Sequence, residues 1–384
     1  MDTKNKNTFC VLPWLSIGTN THGTVRACGR SMQKGPSLKT TTLDDAWNSN
    51  YFKTLRLDML QGNENINCTK CYEQENLGGK SKRIEFNNLY PDVVQSANLI
   101  TDSDGKIKTQ PSQFDIRVGN ICNLKCTHCW TGNSTKWYED KLLLDKYENT
   151  QNLEINNAWI DKGEVWEYLY KNIKQIEKIS FLGGEPFASK YHNKFIHWCA
   201  ENNPNISLNY VTNATLLSDE LLKSLFKFKT LVLGISLDAV EEQAEFLRFP
   251  TNWKTLYPIL KKINSKVGNS QFYFNFTCHA LNILSMGETK KYCETHFPNI
   301  RFHLGDHVIN PVHMSVQNLP ENYKKEITKR YSNNNEFSFY INYMNKKSLW
   351  DDYSNVLLNY LNDLDTARNT NWKTVLPEIA GLYE

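Results

Sequence analysis

Between residues 114 and 306, short apolar runs alternate with longer amphipathic ones. FDIRVG (114–119), KISFLGG (178–184), ISLNYVTN (206–213), TLVLGISLD (230–238), FYFNFTCHALN (272–282) and IRFHLGD (300–306) have the length and the β-branched or aromatic content of strands. VWEYLYKNIKQI (165–176), KYHNKFIHWCAEN (190–202), DELLKSLFKF (219–228) and LYPILKKINSK (256–266) carry helical spacing between them. Such alternation predicts βα units around a parallel sheet. Six units are too few to close an eight-fold barrel and enough for a partial one. The expected fold class is therefore α/β, with a partial (β/α)6 barrel over 110–310. Ligand-handling residues are expected at the C-terminal ends of the strands.

The flanks read differently. TLDDAWNSNYFKTLRLDMLQG has a broken helical period over Leu43, Trp47, Phe52, Leu55, Leu57 and Met59, and Asp44 and Asp45 suit its N-terminus. LITDSDGKIKTQPSQ (99–113) is polar and turn-rich, a linker or hairpin. The expected division is a small N-terminal domain over 1–100, the barrel, and a mainly helical tail over 311–384.

Composition narrows the function classes. Apolar residues make up 40% and charged residues 22%, as in a globular chain with a sizeable core. A net charge of +3 argues against a nucleic-acid patch, and the aromatic residues, 12% of the chain, form no stacking platform for one. No run reaches the length of a membrane span, and the start MDTKNKNTFC has no apolar signal region. The expectation is a cytoplasmic protein, without nucleic-acid or membrane partners, where thiols stay reduced. Its ten cysteines then point to metal binding or catalysis.

Seven cysteines fall into two groups. Cys122, Cys126 and Cys129 form C-x3-C-x2-C directly after the first barrel strand. Three thiolates delivered to one point leave a tetrahedral site one ligand short. Structural zinc would need a fourth ligand, and His128 lies inside the motif. The alternative is a [4Fe–4S] cluster with three irons on cysteine and one iron open to a small molecule. Cys10, Cys28, Cys68 and Cys71, the last two as C-x2-C, supply four ligands and read as a closed site.

The triad after the first strand resembles the radical S-adenosylmethionine (radical SAM) superfamily. Further landmarks follow in order: LGGEP (182–186), YVTNATLL after the third strand, GISLDA on the fourth, and Arg248 in EEQAEFLRFP. The resemblance implies that the open iron of a [4Fe–4S] cluster on Cys122, Cys126 and Cys129 binds S-adenosylmethionine. Reductive cleavage would then give a 5′-deoxyadenosyl radical that abstracts a hydrogen atom. It assigns Gly183, Gly184 and Glu185 to the methionine amino group, Asn213 to the turn after strand three, Ser236 and Asp238 to the ribose, and Arg248 to the cofactor carboxylate. His128 stands where that family usually has an aromatic residue on the adenine. The N-terminal group, with G-x4-C from Gly23 to Cys28, resembles the twitch domain, a shortened SPASM domain. That implies a second, auxiliary [4Fe–4S] cluster with four cysteine ligands, here placed before the barrel rather than after it; a structural zinc ribbon is the alternative. Relatives with such domains modify peptides by crosslinking, oxidation or epimerisation, so the implied substrate is a peptide or protein. The implied electron donor is of flavodoxin or ferredoxin type. A small alcohol or aminosugar dehydrogenase is the rival enzyme, and a zinc-stabilised binding module the rival class. Cys278, in NFTCHALN, would donate a hydrogen atom to a substrate radical if it faced the lumen. Otherwise it is a packed core thiol.

Overall fold

The computed structural model describes residues 8–76, 78–140, 145–147, 158–161, 163–266 and 270–383. Its strands are β1 (Ser16–Thr19), β2 (Val25–Arg26), β3 (Gln113–Arg117), β4 (Lys178–Leu182), β5 (Ser207–Thr212), β6 (Thr230–Ser236), β7 (Gln271–Cys278) and β8 (Arg301–His307). They form one sheet in the order β2-β1-β3-β4-β5-β6-β7-β8. β3 to β8 coincide with the six apolar runs. Most of the expected runs overshoot at their C-terminal ends. Val118–Gly119, Gly183–Gly184 and Leu237–Asp238 leave the strands there and form the loops where ligand groups belong. β1 and β2 are too short to show a period, and the sequence does not announce them. The expected helix over 42–62 is two helices, Leu43–Trp47 and Asn50–Gln61. Thr42 caps the first through the amide of Asp45, and Gly62 ends the second in the left-handed conformation at φ 76°. Thr101 and Ile107 bridge across a tight turn in the 99–113 segment.

The chain divides into two compact units, along different lines from the three consecutive spans expected. One comprises Met1–Ile121, Ile155–Tyr210 and Lys223–Leu231. The other comprises Cys122–Glu154, Val211–Leu222 and Val232–Glu384. In the first, β1, β3, β4 and β5 run parallel and β2 pairs antiparallel with β1. Parallel sheets covered on both faces are apolar on both, but these strands alternate. Ile17, Phe114, Ile116, Ile179, Phe181 and Leu208 are buried, while Asp115, Arg117, Lys178, Ser180 and Asn209 on the opposite face are half-buried.

In the second unit β6, β7 and β8 are parallel. The tail is helical, as expected, with helices Glu321–Arg330, Ser338–Asn345 and Trp350–Arg368. They are not an appendage: Ile327, Met344, Leu357, Leu361 and Leu364 share one hydrophobic core with Phe276, Met286 and Met314. Among the described residues no helix is long and apolar enough to cross a membrane.

Candidate cluster and cofactor site

The cysteine loop of the second unit is held by its backbone. The Lys125 amide donates to the Phe249 carbonyl at 2.7 Å, and the Thr127 amide to the Leu247 carbonyl at 2.8 Å. The Ser134 hydroxyl donates to the Leu124 carbonyl at 2.6 Å. Tyr360, on the helix Trp350–Arg368, donates to the Thr127 carbonyl at 2.7 Å. Lys125 Nζ meets Asp140 Oδ1 at 2.6 Å, and Arg368 Nε meets Asp140 Oδ2 at 3.3 Å. The Arg368 guanidinium lies 4.5 Å from the Trp137 ring centre. A loop so restrained presents its sulfurs in a set arrangement. The Asn213 amide reaches Cys122 Sγ at 3.9 Å and Asn123 Oδ1 at 3.0 Å, and Asn123 donates to Thr215 Oγ1 at 2.8 Å. The Asn213 expected from the third-strand turn is thus beside a loop sulfur.

Burial raises the pKa of the Cys129 thiol, with the charges of Cys126 and Cys122 adding to it. Burial also raises that of Cys126, against the pull of Arg248. Neighbouring buried thiols need a cationic centre to become thiolates, and the donor set suits iron.

Asp238 is fully buried and accepts from the Thr277 amide at 2.9 Å and from Arg248 Nη1. Burial works against its charge, but Arg248, then His128 and His279, hold its pKa below the ordinary value. His128 Nε2 lies 3.7 Å from Asp238 Oδ2, and its ring stacks on His279 with centroids 5.1 Å apart. Burial lowers the pKa of His128, so it is neutral at pH 7. Three residues expected near the cofactor, His128, Asp238 and Arg248, therefore form one cluster, with His279, just past the end of β7, beside them. Ser236 ends β6, half-buried and in register with Asn275 of β7. Cys278 lies on the same face of β7 as Phe272, Phe274 and Phe276, buried in the hydrophobic core.

In the first unit Gly183 has φ 119°, and a Cβ there would stand 2.7 Å from the Gly119 carbonyl oxygen. A Cβ on Gly184 would run into the Ile121 carbonyl. The Gly184 amide donates to Gly119 at 3.1 Å and the Glu185 amide to Ile121 at 2.8 Å. Both glycines are demanded by this close approach of two loop backbones. Glu185 is buried, and its Oε1 accepts from the Phe187 amide at 3.1 Å.

The N-terminal cysteines also lie together in the first unit. Burial raises the pKa of Cys10, and the charges of Cys28, Cys68 and Cys71 add to it. Burial and then Cys28 push that of Cys68 up to about 12. Arg83 and Asn87 each donate to the Phe9 carbonyl at 2.8 Å, and the Val11 amide donates to Asn87 at 2.9 Å, which fixes the chain on both sides of Cys10. Among the described residues no three Cys, His, Asp or Glu side chains converge as ligands of a single metal ion.

Residues 116–277 match the family model of the radical SAM superfamily. That span holds the cysteine loop, the glycine turn and the Asp238–Arg248 pair, and it supports membership of the superfamily. Two curated proteins are similar to part of the chain. GTP 3′,8-cyclase of Campylobacter lari is 28% identical over 148 residues, 38% of this chain and 40% of its own length. The antilisterial bacteriocin subtilosin biosynthesis protein AlbA of Bacillus subtilis is 22% identical over 203 residues, 50% of this chain and 41% of its own length. The chain thus spans about two fifths of these relatives. Streptococcus suis SuiB bound to S-adenosylmethionine, a solved structure, aligns with 76% of this chain and 62% of its own at 15% identity and a TM-score of 0.39. A radical SAM chain implies a [4Fe–4S] cluster and S-adenosylmethionine. Sequence reasoning missed Lys125, Asp140, Tyr360 and Asn123, whose roles come from long-range partners rather than from any local motif.

Proposed function

We propose that this chain is a radical SAM enzyme that takes a hydrogen atom from a peptide or protein substrate and carries a second, auxiliary [4Fe–4S] cluster on Cys10, Cys28, Cys68 and Cys71. The observation that carries the reading is the restrained loop with three neighbouring thiols, Cys126 buried and Cys122 and Cys129 half-buried, inside the span that matches the superfamily. When bound, the cluster and S-adenosylmethionine supply a 5′-deoxyadenosyl radical. Cys122, Cys126 and Cys129 are the cluster ligands, and the Asn213 amide faces the Cys122 sulfur. Arg248 offers a cation for the cofactor carboxylate, and its pairing with buried Asp238 fixes its side chain. The neutral His128 ring offers a flat face for adenine. Gly183, Gly184 and Glu185 form the turn assigned to the methionine amine, with one oxygen of Glu185 already engaged by Phe187. Ser236, at the end of β6, is the remaining ribose candidate, since Asp238 is committed to Arg248.

The peptide substrate is supported by the four N-terminal thiols gathered in one place and by similarity to a bacteriocin biosynthesis protein. A flavodoxin or ferredoxin is the proposed electron donor. The similarity to GTP 3′,8-cyclase favours a small-molecule substrate as the second reading.

Protein purified without oxygen is expected to be brown, with about eight irons per chain if both clusters fill. Cys126→Ala should lose about four of them together with cofactor cleavage, while the N-terminal cluster keeps its visible absorbance. A colourless protein holding zinc would overturn the proposal.

A further inference from the structure

The half-buried face of the first unit's sheet carries an arrangement of charge that the cluster chemistry does not use. Register places Arg26, Gly18, Asp115, Ser180 and Asn209 in one row across β2, β1, β3, β4 and β5. Paired residues in a sheet point to the same face. The adjoining rows add Gln113 paired with Lys178, and Arg117 paired with Leu182. Gly18 puts no side chain between Arg26 and Asp115 in that row. Burial raises the pKa of Asp115, and Lys82, from the helix Lys82–Leu89, then Arg117, Lys178 and Arg26 pull against it.

Four cations therefore surround one carboxylate. None of the four closes an ion pair among the described residues. Buried polar atoms there also lack partners: Arg26 Nε and Gln113 Nε2 as donors, Asp115 Oδ1 and Asn209 Oδ1 as acceptors. Native proteins rarely leave such atoms unmet, and a cluster of them marks a place for a polar ligand. Burial, then Lys82, lowers the pKa of Lys178, the mark of a cation short of counter-charge.

We infer that this face is a binding site for a carboxylate of the substrate, an acidic side chain or chain terminus, held by Arg26, Arg117 and Lys178, with Asp115 and Asn209 accepting from N–H groups beside it. The planar arginine forks suit a carboxylate, and the excess of positive charge excludes a cationic ligand. As a statement about substrate the inference rests on the proposed function. The site itself needs neither iron nor cofactor.

The test uses the full chain, purified anaerobically, with glutarate as the probe. The thermal midpoint is followed against glutarate concentration, with potassium chloride matched in ionic strength as control. A saturable rise beyond the chloride control is expected. Arg117→Gln and Lys178→Gln should each weaken apparent binding roughly ten- to hundredfold, while Lys178→Arg keeps it within a few-fold. Circular dichroism in chloride alone checks that the variants fold. No saturable rise in the wild-type chain overturns the inference whatever the variants do. So does a rise with inorganic phosphate but not glutarate, or one that neither glutamine variant alters. Failure of the radical reading would appear elsewhere, in iron content and cofactor cleavage.

Discussion

Asp140 shows what single residues contribute around the cysteine loop. Its side chain is only 4% exposed, yet it answers two buried cations, Lys125 from inside the cysteine motif and Arg368 from the tail. Removing the carboxylate strands Arg368 away from water and leaves Lys125 with Glu139 alone, at 3.4 Å. Asp140→Ala should therefore cost about 3–5 kcal/mol, far above the value of a surface pair. Replacing Lys125 and Arg368 by methionine in the same chain should recover part of that loss, because the stranded charges go with it. Urea midpoints of the single and triple variants check both; a single-variant loss under about 1 kcal/mol would mean the cations find other partners. The three cysteines of the loop were legible because they sit in a short motif. Lys125 was in plain view within the motif, but its role was not, since its partner and the arginine that shares it are fixed only by folding.

The same division holds for whole elements. β4, β5 and β7 were readable because each alternates buried residues with more exposed ones over five to eight positions, and β8 because exposed residues alternate with half-buried ones over most of its length. β1 and β2, with four and two residues, are set by pairing with β3 and with each other. The tail helices were readable as helices, but not their partner. Tyr360, on Trp350–Arg368, donates to the Thr127 carbonyl between Cys126 and Cys129. Tyr360→Phe should lower global stability by about 1 kcal/mol, the net value of one hydrogen bond. Its larger effect should be local: amide exchange over 124–129 should quicken while exchange in β7 stays as it was. Unchanged exchange in the loop would show that the helix is a bystander to it.

At the scale of the whole molecule, each unit buries an uncharged histidine, and this makes acid stability a property of both. In the first, His192 sits against Phe181, Phe187 and Trp166 and bonds Tyr210 and Asn193 at 3.0 Å. Burial lowers its pKa from 6.5 to about 4. In the second, His313 packs on Tyr360 with centroids 4.6 Å apart, and burial takes it from 6.5 to about 4 as well. The unfolded chain binds these protons near pH 6.5 and the folded chain only near pH 4, so unfolding takes up protons in between. Each histidine's contribution is whole above pH 6.5 and is lost as the pH falls towards 4. The full loss is about 3 kcal/mol per histidine, of which about 2 kcal/mol is gone by pH 5. Urea midpoints taken from pH 7 to pH 4 should fall steeply through that window. His192→Gln should start less stable at pH 7, because it gives up well-packed ring contacts, and should then lose less on acidification. A variant whose slope matches that of the parent chain would show that His192 takes up its proton without unfolding the shell around it.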